Sequence, residues 1–227
     1  MDGMGGKDNI MFNFDYVTKA EALPVKKELI KIVNEVQNLV REKFTFNFYF
    51  IGSSSRNMIT CDFKSNIGFD FDINIEINDD DENYTPKEIK EILVNAFNKV
   101  VKKYGYDYCE NSTRVITIKM KDYNYSKILH SCDFAIVFNC NDGRQQYIRF
   151  NKQTNNYSWE YQPNGFMGLD KKTEWLKENG YWQNLRDYYL SKKNTNKVKE
   201  KHSRSLYAEA INELYQKLIN YQRTYHN

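Results

Sequence analysis

Apolar and polar positions alternate most cleanly in Phe69-Asp70-Phe71-Asp72-Ile73-Asn74-Ile75-Glu76-Ile77. Period-two alternation predicts a strand. Phe69, Phe71, Ile73, Ile75 and Ile77 then share one face, and Asp70, Asp72, Asn74 and Glu76 share the other. Upstream, Leu29, Val33, Val36 and Val40 recur at helical spacing and predict a helix over about 18–43, with Pro24 marking a helix start inside that region. Phe44 to Ile51 reads as an aromatic strand broken by Gly52-Ser53. A short helix is expected over Ser54 to Thr60 and a loop over Cys61 to Gly68.

Thr85-Pro86-Lys87-Glu88 carries a capping box with proline at the first helical position. The helix it starts buries Ile89, Leu93, Ala96 and Val100 and ends near Gly105. Strands are predicted over Thr113 to Lys121 and Ser131 to Asn139. A hairpin is predicted from Gln145 to Asn151 and Tyr157 to Gln162, through Thr154-Asn155-Asn156. After Pro163 the pattern is helical. One helix is capped by Asp170 and ends at Asn179-Gly180, a second spans Tyr181 to Lys192, and the last runs from Ser203 to Arg223 with a stripe at Tyr207, Ile211, Leu214 and Leu218. This order predicts an α+β fold: a mixed sheet flanked by helices (1–162), with a helical C-terminal subdomain (163–227) packed on it.

Composition narrows the class. The chain has 227 residues, 41% hydrophobic and 15% aromatic, enough for a substantial core. A net charge of +3 does not by itself demand a nucleic-acid partner. Cys61, Cys109, Cys132 and Cys140 form no CxxC pair and the chain has 3 His, which argues against zinc. Cys132 reads as a small core residue. No apolar run reaches the ~20 residues of a membrane span, and the glycine-rich start lacks the apolar stretch of a signal peptide. The expectation is a cytoplasmic protein with reduced thiols. Asp79 to Glu82 reads as a solvated acidic loop.

The chemistry concentrates on three carboxylates. Asp70 and Asp72 repel each other on one strand face, and a divalent cation or a shared proton relieves that repulsion. Asp133 lies in the apolar run Cys132-Asp133-Phe134-Ala135-Ile136-Val137-Phe138, where an unpaired charge is costly. Each aspartate alone is as well explained by a solvated face or a strand end. If the two strands are neighbours, the three form an oxygen-rich site of the kind Mg²⁺ prefers. Gly52 at a strand end allows close backbone approach, and Ser53, Ser54 and Ser55 offer hydroxyls and amides suited to phosphate, with Arg56 adding charge. This is not a P-loop, because no Gly-Lys-Ser/Thr follows.

Gly52-Ser53 after a strand, Asp70-Phe71-Asp72 on the next and a later Asp133 resemble the DNA polymerase β-type nucleotidyltransferase superfamily. The resemblance covers about residues 29 to 140. The preceding helix, the Gly-Ser-x-x-Arg turn and the trailing helices are most similar to the branch of oligoadenylate synthases and cyclic GMP-AMP synthase-like enzymes. It implies a transferase moving a nucleoside monophosphate from an NTP such as ATP to an acceptor hydroxyl with release of pyrophosphate. In that reading Asp70, Asp72 and Asp133 ligate two Mg²⁺ ions (Mn²⁺ being the alternative ion), Asp133 helps activate the hydroxyl, and Gly52 and Ser53 hold the β and γ phosphates. A lysine and a serine from the helical part also contact the triphosphate in this branch. Lys199, Lys201, Ser203, Arg204 and Ser205 are the candidates, with Lys201 and Ser203 preferred. The acceptor is open: a nucleotide, an RNA end, a protein side chain or a small molecule. Oligomeric state is open too, and no membrane partner is expected.

One departure stands out. Sixteen residues separate Ser53 from Asp70, more than the motif usually holds, so Met58 to Gly68 contains an insertion that reads as a candidate lid. Asp62 is nearer the expected spacing, but Lys64 occupies the place of its partner carboxylate. From Ser191 to Arg204 six Lys/Arg accompany one Glu, which reads mainly as a solvated basic segment. Tyr207, Trp159, Trp175 and Trp182 read as packing residues. The alternatives are a catalytically inactive nucleotide- or nucleic-acid-binding relative and, more weakly, a metal-dependent nuclease or phosphatase.

Overall fold

A computed structural model describes residues 12–79, 82–163, 168–197 and 201–225. In chain order the elements are β1 (Phe14–Tyr16), α1 (Lys19–Val40), β2 (Thr45–Ile51), α2 (Gly52–Ser55), β3 (Thr60–Asp62), β4 (Phe69–Asn78), α3 (Pro86–Val100), β5 (Glu110–Asn111), β6 (Val115–Asp122), β7 (Lys127–Asn139), β8 (Gln145–Asn151), β9 (Asn156–Tyr161), α4 (Leu169–Glu178), α5 (Trp182–Thr195) and α6 (Ser203–Tyr225). They divide into two compact units. One comprises Tyr16–Cys61 and Ser65–Pro163; the other holds the described residues of Met1–Asp15, Asp62–Lys64 and Asn164–Asn227.

The first unit is built on a seven-stranded mixed sheet with the order β2-β4-β7-β6-β5, extended by β8 on β7 and β9 on β8. β4 and β7 run parallel, and the other pairings are antiparallel. Alternation along β4 puts Phe71, Ile73, Ile75 and Ile77 into a core shared with Leu29, Ile32, Val33 and Val36 of α1 and Ile89, Leu93 and Phe97 of α3. Both helices therefore pack on one sheet face, and the polar residues of β4 occupy the other.

α1 begins with a full capping box, Thr18 with Glu21. Pro24 lies inside the helix and does not start it, since the box already satisfies the first amides. α3 begins with the box and N-terminal proline expected from its sequence, and its 3₁₀ extension Val101–Tyr104 ends at Gly105 with φ +87°. Three local expectations are corrected. The short helix after β2 is Gly52–Ser55, not Ser54–Thr60; Thr60 opens a strand, so 61–68 is not wholly loop; and Gly168, not Asp170, precedes α4, leaving Asp170 inside its first turn.

In the second unit α5 and α6 bury Leu185, Tyr189, Leu206, Tyr207 and Ile211, and the Tyr189 and Tyr207 rings meet edge to face. Trp175 stacks with Tyr181 and meets Tyr215 edge-on. The Asn194 side chain both accepts from Phe14 N (2.6 Å) and donates to Phe14 O (3.0 Å), tying β1 to α5.

Candidate active site

β4 and β7 lie side by side in register, so Asp72 is directly opposite Asp133 and Asp70 opposite Ser131. Residues directly paired across a ladder project from the same face. On the far side of β7, Thr117 of β6 is opposite Asp133. On the far side of β4, Ile51 is the partner of Asp72. β2 ends there, and Gly52 turns the chain with φ +66°, directly over the aspartate. A Cβ added to Gly52 would stand 2.6 Å from Asp72 Oδ2. This position requires glycine twice over, for its left-handed backbone and for its close approach to a carboxylate. The structure thus gathers Gly52, Asp70, Asp72 and Asp133 at one place.

The electrostatics follow from that crowding. Burial, then the charges of Asp133 and Asp70, push Asp72 up to about 6, and the Arg56 guanidinium acts against the rise. Burial also raises Asp133, while the hydrogen bond from Thr117 opposes it. Thr117 Oγ1 donates to Asp133 Oδ1 at 2.5 Å, and Ser131 Oγ donates to Asp70 Oδ1. Neither hydroxyl stands out in the sequence, because only the strand pairing brings them to the carboxylates. Behind the sheet Cys132 is fully buried, and burial raises its thiol well above the ordinary range.

Among the described residues no three His, Cys, Asp or Glu side chains already converge as the ligand set of an ion. Asp70 and Asp133 each give one oxygen to a hydroxyl instead. The residues nonetheless fit a hard divalent cation: they are carboxylates on adjoining strands of one face, and Asp72 is held toward its neutral form first by burial and then by the charges of Asp133 and Asp70.

The turn itself is tightly built. Ser53 O accepts from Arg56 N (3.2 Å) and Met58 N (2.9 Å). Ser54 is buried and its hydroxyl donates to Ile51 O, while Ser55 Oγ donates to Gly52 O. Of the three serines, Ser54 and Ser55 therefore spend their hydroxyls closing the turn. Arg56 is half-buried beside them. Met58, Ile59 and Cys61 of the expected lid are buried. Val17 N donates to Ile59 O and Ile128 N to Asn66 O, both at 2.9 Å, and Gly68 lies against the Leu129 carbonyl with no room for a Cβ. The insertion is anchored to the fold at these points. Asp62 ends β3, outside the seven-stranded sheet, and its carboxylate accepts from Lys64 N.

Lys201 and Ser203 belong to the second unit. Lys201 pairs with Glu209 at 2.6 Å, and Ser203 is exposed at the first residue of α6, followed by Arg204 and Ser205. Lys199 lies outside the described residues, as do Asp80 and Asp81 of the acidic run. Within the basic segment, Lys192 pairs with Glu213 and Glu209, and Lys193 is buried over the Phe14 ring.

The seven-stranded mixed sheet with flanking helices is the nucleotidyltransferase fold. Solved structures of similar fold include nucleotide cyclases and synthases. The Vibrio cholerae cyclic AMP-GMP synthase DncV, a prokaryotic cGAS homolog, matches 90% of this chain and 69% of its own with a TM-score of 0.59 at 12% identity. The GTP-bound form of V. cholerae DncV matches 86% of this chain and 52% of its own, with a TM-score of 0.54 at 18% identity. Escherichia coli MS115-1 CdnC, solved with ATP, matches 87% of this chain and 62% of its own, with a TM-score of 0.50 at 11% identity. The chain spans between about half and two thirds of the length of these solved chains. At such identities the likeness establishes the fold. No family model matches the sequence, and no curated protein matches it. No helix among the described residues is long and apolar enough to cross a membrane.

Proposed function

We propose that this protein is a Mg²⁺-dependent nucleotidyltransferase that moves a nucleoside monophosphate from an NTP to an acceptor hydroxyl and releases pyrophosphate. The observation that carries the reading is the register of β4 against β7, which sets Asp72 beside Asp133 under the Gly52 turn. The fold shared with GTP- and ATP-bound neighbours supports it.

In this reading Asp70, Asp72 and Asp133 would hold the divalent ions, with Ser131 and Thr117 fixing the outer two carboxylates. When bound, such ions supply positive charge that offsets carboxylate repulsion and polarises phosphoryl oxygens. Gly52 lets the backbone reach the terminal phosphates, and Ser53 contributes its amide and hydroxyl. Arg56 adds positive charge beside the turn. Asp133, more basic than an ordinary carboxylate because it is buried, is placed to accept the proton of the attacking hydroxyl. The hydroxyl oxygen then bonds to the α phosphorus as the bond to the bridging oxygen breaks, and pyrophosphate leaves. Lys201 and Ser203 are proposed as triphosphate contacts on the fold resemblance alone.

The test is incubation with each α-labelled NTP and Mg²⁺, resolving products by chromatography. Pyrophosphate with a labelled nucleotidyl product is expected. Inorganic phosphate or cleaved nucleic acid in its place would instead indicate a phosphatase or nuclease, and no turnover across nucleotide, RNA and small-molecule acceptors an inactive relative.

A further inference from the structure

β2 forms one end of the seven-stranded sheet: its inner side pairs with β4, and among the described residues no strand pairs with its outer side. Phe46 N donates to Gln37 Oε1 of α1 at 2.9 Å, so the Phe46 amide points away from β4. Backbone groups alternate between the two sides of a strand. The amides and carbonyls of Phe48 and Phe50 therefore also face outward, and those of Asn47, Tyr49 and Ile51 bond to β4. No residue of Thr45–Ile51 is charged or proline, and its register with β4 runs without a bulge. Charge, proline, bulges and short length are the devices by which proteins blunt a sheet edge. The other edges of this sheet have them: β5 is two residues long and carries Glu110, and β9 carries Glu160.

α1 borders the open edge. Lys26 Nζ lies 4.6 Å from the centre of the Phe50 ring, and Gln37 reaches Phe46, so the helix runs along β2 in the opposite direction. From Lys26 to Gln37 the helix rises about 16 Å, close to the roughly 13 Å that β2 covers from Phe50 to Phe46. Ile30 lies on the same helical stripe as Lys26 and Gln37. It is half-buried and falls level with Phe48 and Tyr49. On the other sheet face the Tyr49 side chain is 47% exposed.

We infer that β2 pairs antiparallel with β2 of a second copy of this chain, about a two-fold axis that sets Tyr49 opposite the partner's Tyr49. The open backbone groups select this register. Phe48 and Phe50 face the partner's Phe50 and the partner's Phe48, and each pair exchanges both of its backbone hydrogen bonds. The next outward residue, Phe46, falls opposite the partner's Gly52, which has already left the strand. Its amide is the one that Gln37 satisfies within the chain. The axis also brings Ile30 beside the partner's Ile30, an apolar contact next to the new strand pair. An isologous contact needs a surface that complements itself, and an uncharged strand meets no like charge when it faces its own copy. The axis stands normal to the sheet, so the two sheets join into one with both aspartate sites on the same face. One strand pair buries less than the about 1,200–2,000 Å² of a standard stable interface, so the dimer is a weak one, with a Kd on the order of 10–100 µM. None of the residues that make the contact enters the proposed transfer, so dimerisation and catalysis are tested separately.

The experiment is sedimentation equilibrium of the full chain from about 5 to 500 µM, a range that brackets the expected Kd. The wild-type mass should rise from 27.2 kDa toward twice that value. Tyr49→Lys and Tyr49→Glu each set like charges opposite one another across the axis and should each weaken the dimer by at least about tenfold. Mixed in equal amounts, these two variants should associate again, because opposite charges then face each other. Ile30→Glu tests the α1 contact in the same way and should also weaken the dimer by at least about tenfold. Thermal melts establish that the variants are folded. A wild type that stays at 27.2 kDa throughout overturns the inference. Folded Tyr49→Lys and Tyr49→Glu proteins that dimerise as the wild type does also overturn it, as does a mixture of the two that stays monomeric.

Discussion

At the scale of single residues the site is a balance between like charges and the hydroxyls that temper them. Asp70 and Asp72 were legible because alternation alone puts them on one face. Asp133 was legible because an aspartate in an apolar strand needs a reason. Thr117 and Ser131 were not, since a hydroxyl on a strand has no signature until its partner strand is known. Thr117→Val removes the donor at nearly constant volume. It should weaken Mg²⁺ affinity, read by calorimetry, by roughly 10- to 100-fold, as losing a partner of a metal-ligating side chain commonly does. Asp72 gives a prediction in pH. Its folded pKa of about 6 lies above the ordinary 3.8, so the folded chain binds more protons between those values, and its charge costs stability that grows as pH rises through the window. Asp72→Asn removes that cost. In the absence of divalent ions the variant should be more stable than the wild type at pH 7.5 by on the order of 1–3 kcal/mol, with the gain shrinking toward pH 4. Urea melts across that range measure it, and an equal gain at every pH would contradict the assignment.

Among the elements, capping boxes and periodicity carried most of the reading. Thr18 with Glu21 and Thr85 with Glu88 mark the starts of α1 and α3, and the alternating residues of β4 and the hairpin of β8 and β9 lie where their patterns put them. β1 and β5, at three and two residues, are too short for any period to show. The helix after β2 moved because its hydrogen bonds close on Ile51 and Gly52 themselves, through Ser54 and Ser55. α3 also holds a residue that its pattern does not justify. Lys90 is 0% exposed, its Nζ has no hydrogen-bond partner, and burial lowers it to about 8. Below pH 8 the folded protein therefore holds a desolvated charge. Lys90→Met should stabilise the protein at pH 7, on the order of 1–3 kcal/mol. The wild type should recover that difference as pH rises from 8 toward 10.5, where the unfolded chain also loses the proton. Denaturant midpoints at pH 7 and pH 10 test this, and a destabilised variant at pH 7 would show that Lys90 has a role its burial does not reveal.

For the molecule as a whole, the fold is the nucleotidyltransferase fold shared with the neighbours, while the proposed reaction rests on three aspartates and a turn. Sequence resemblance reached that fold through Gly52-Ser53, Asp70-Phe71-Asp72 and Asp133, which fall together only because β4 and β7 are parallel neighbours. It could not reach Thr117 and Ser131, whose hydroxyls meet the carboxylates only in the folded sheet. The central claim is that Asp72 serves chemistry and not folding. The most direct measurement is the rate of pyrophosphate release by wild type and Asp72→Asn with NTPs and Mg²⁺, alongside a thermal melt of each. The account predicts release by the wild type, loss of at least about a thousandfold in the variant, on the scale of removing a catalytic group, and a variant that melts no lower than the wild type. A folded Asp72→Asn protein that released pyrophosphate at the wild-type rate would contradict it.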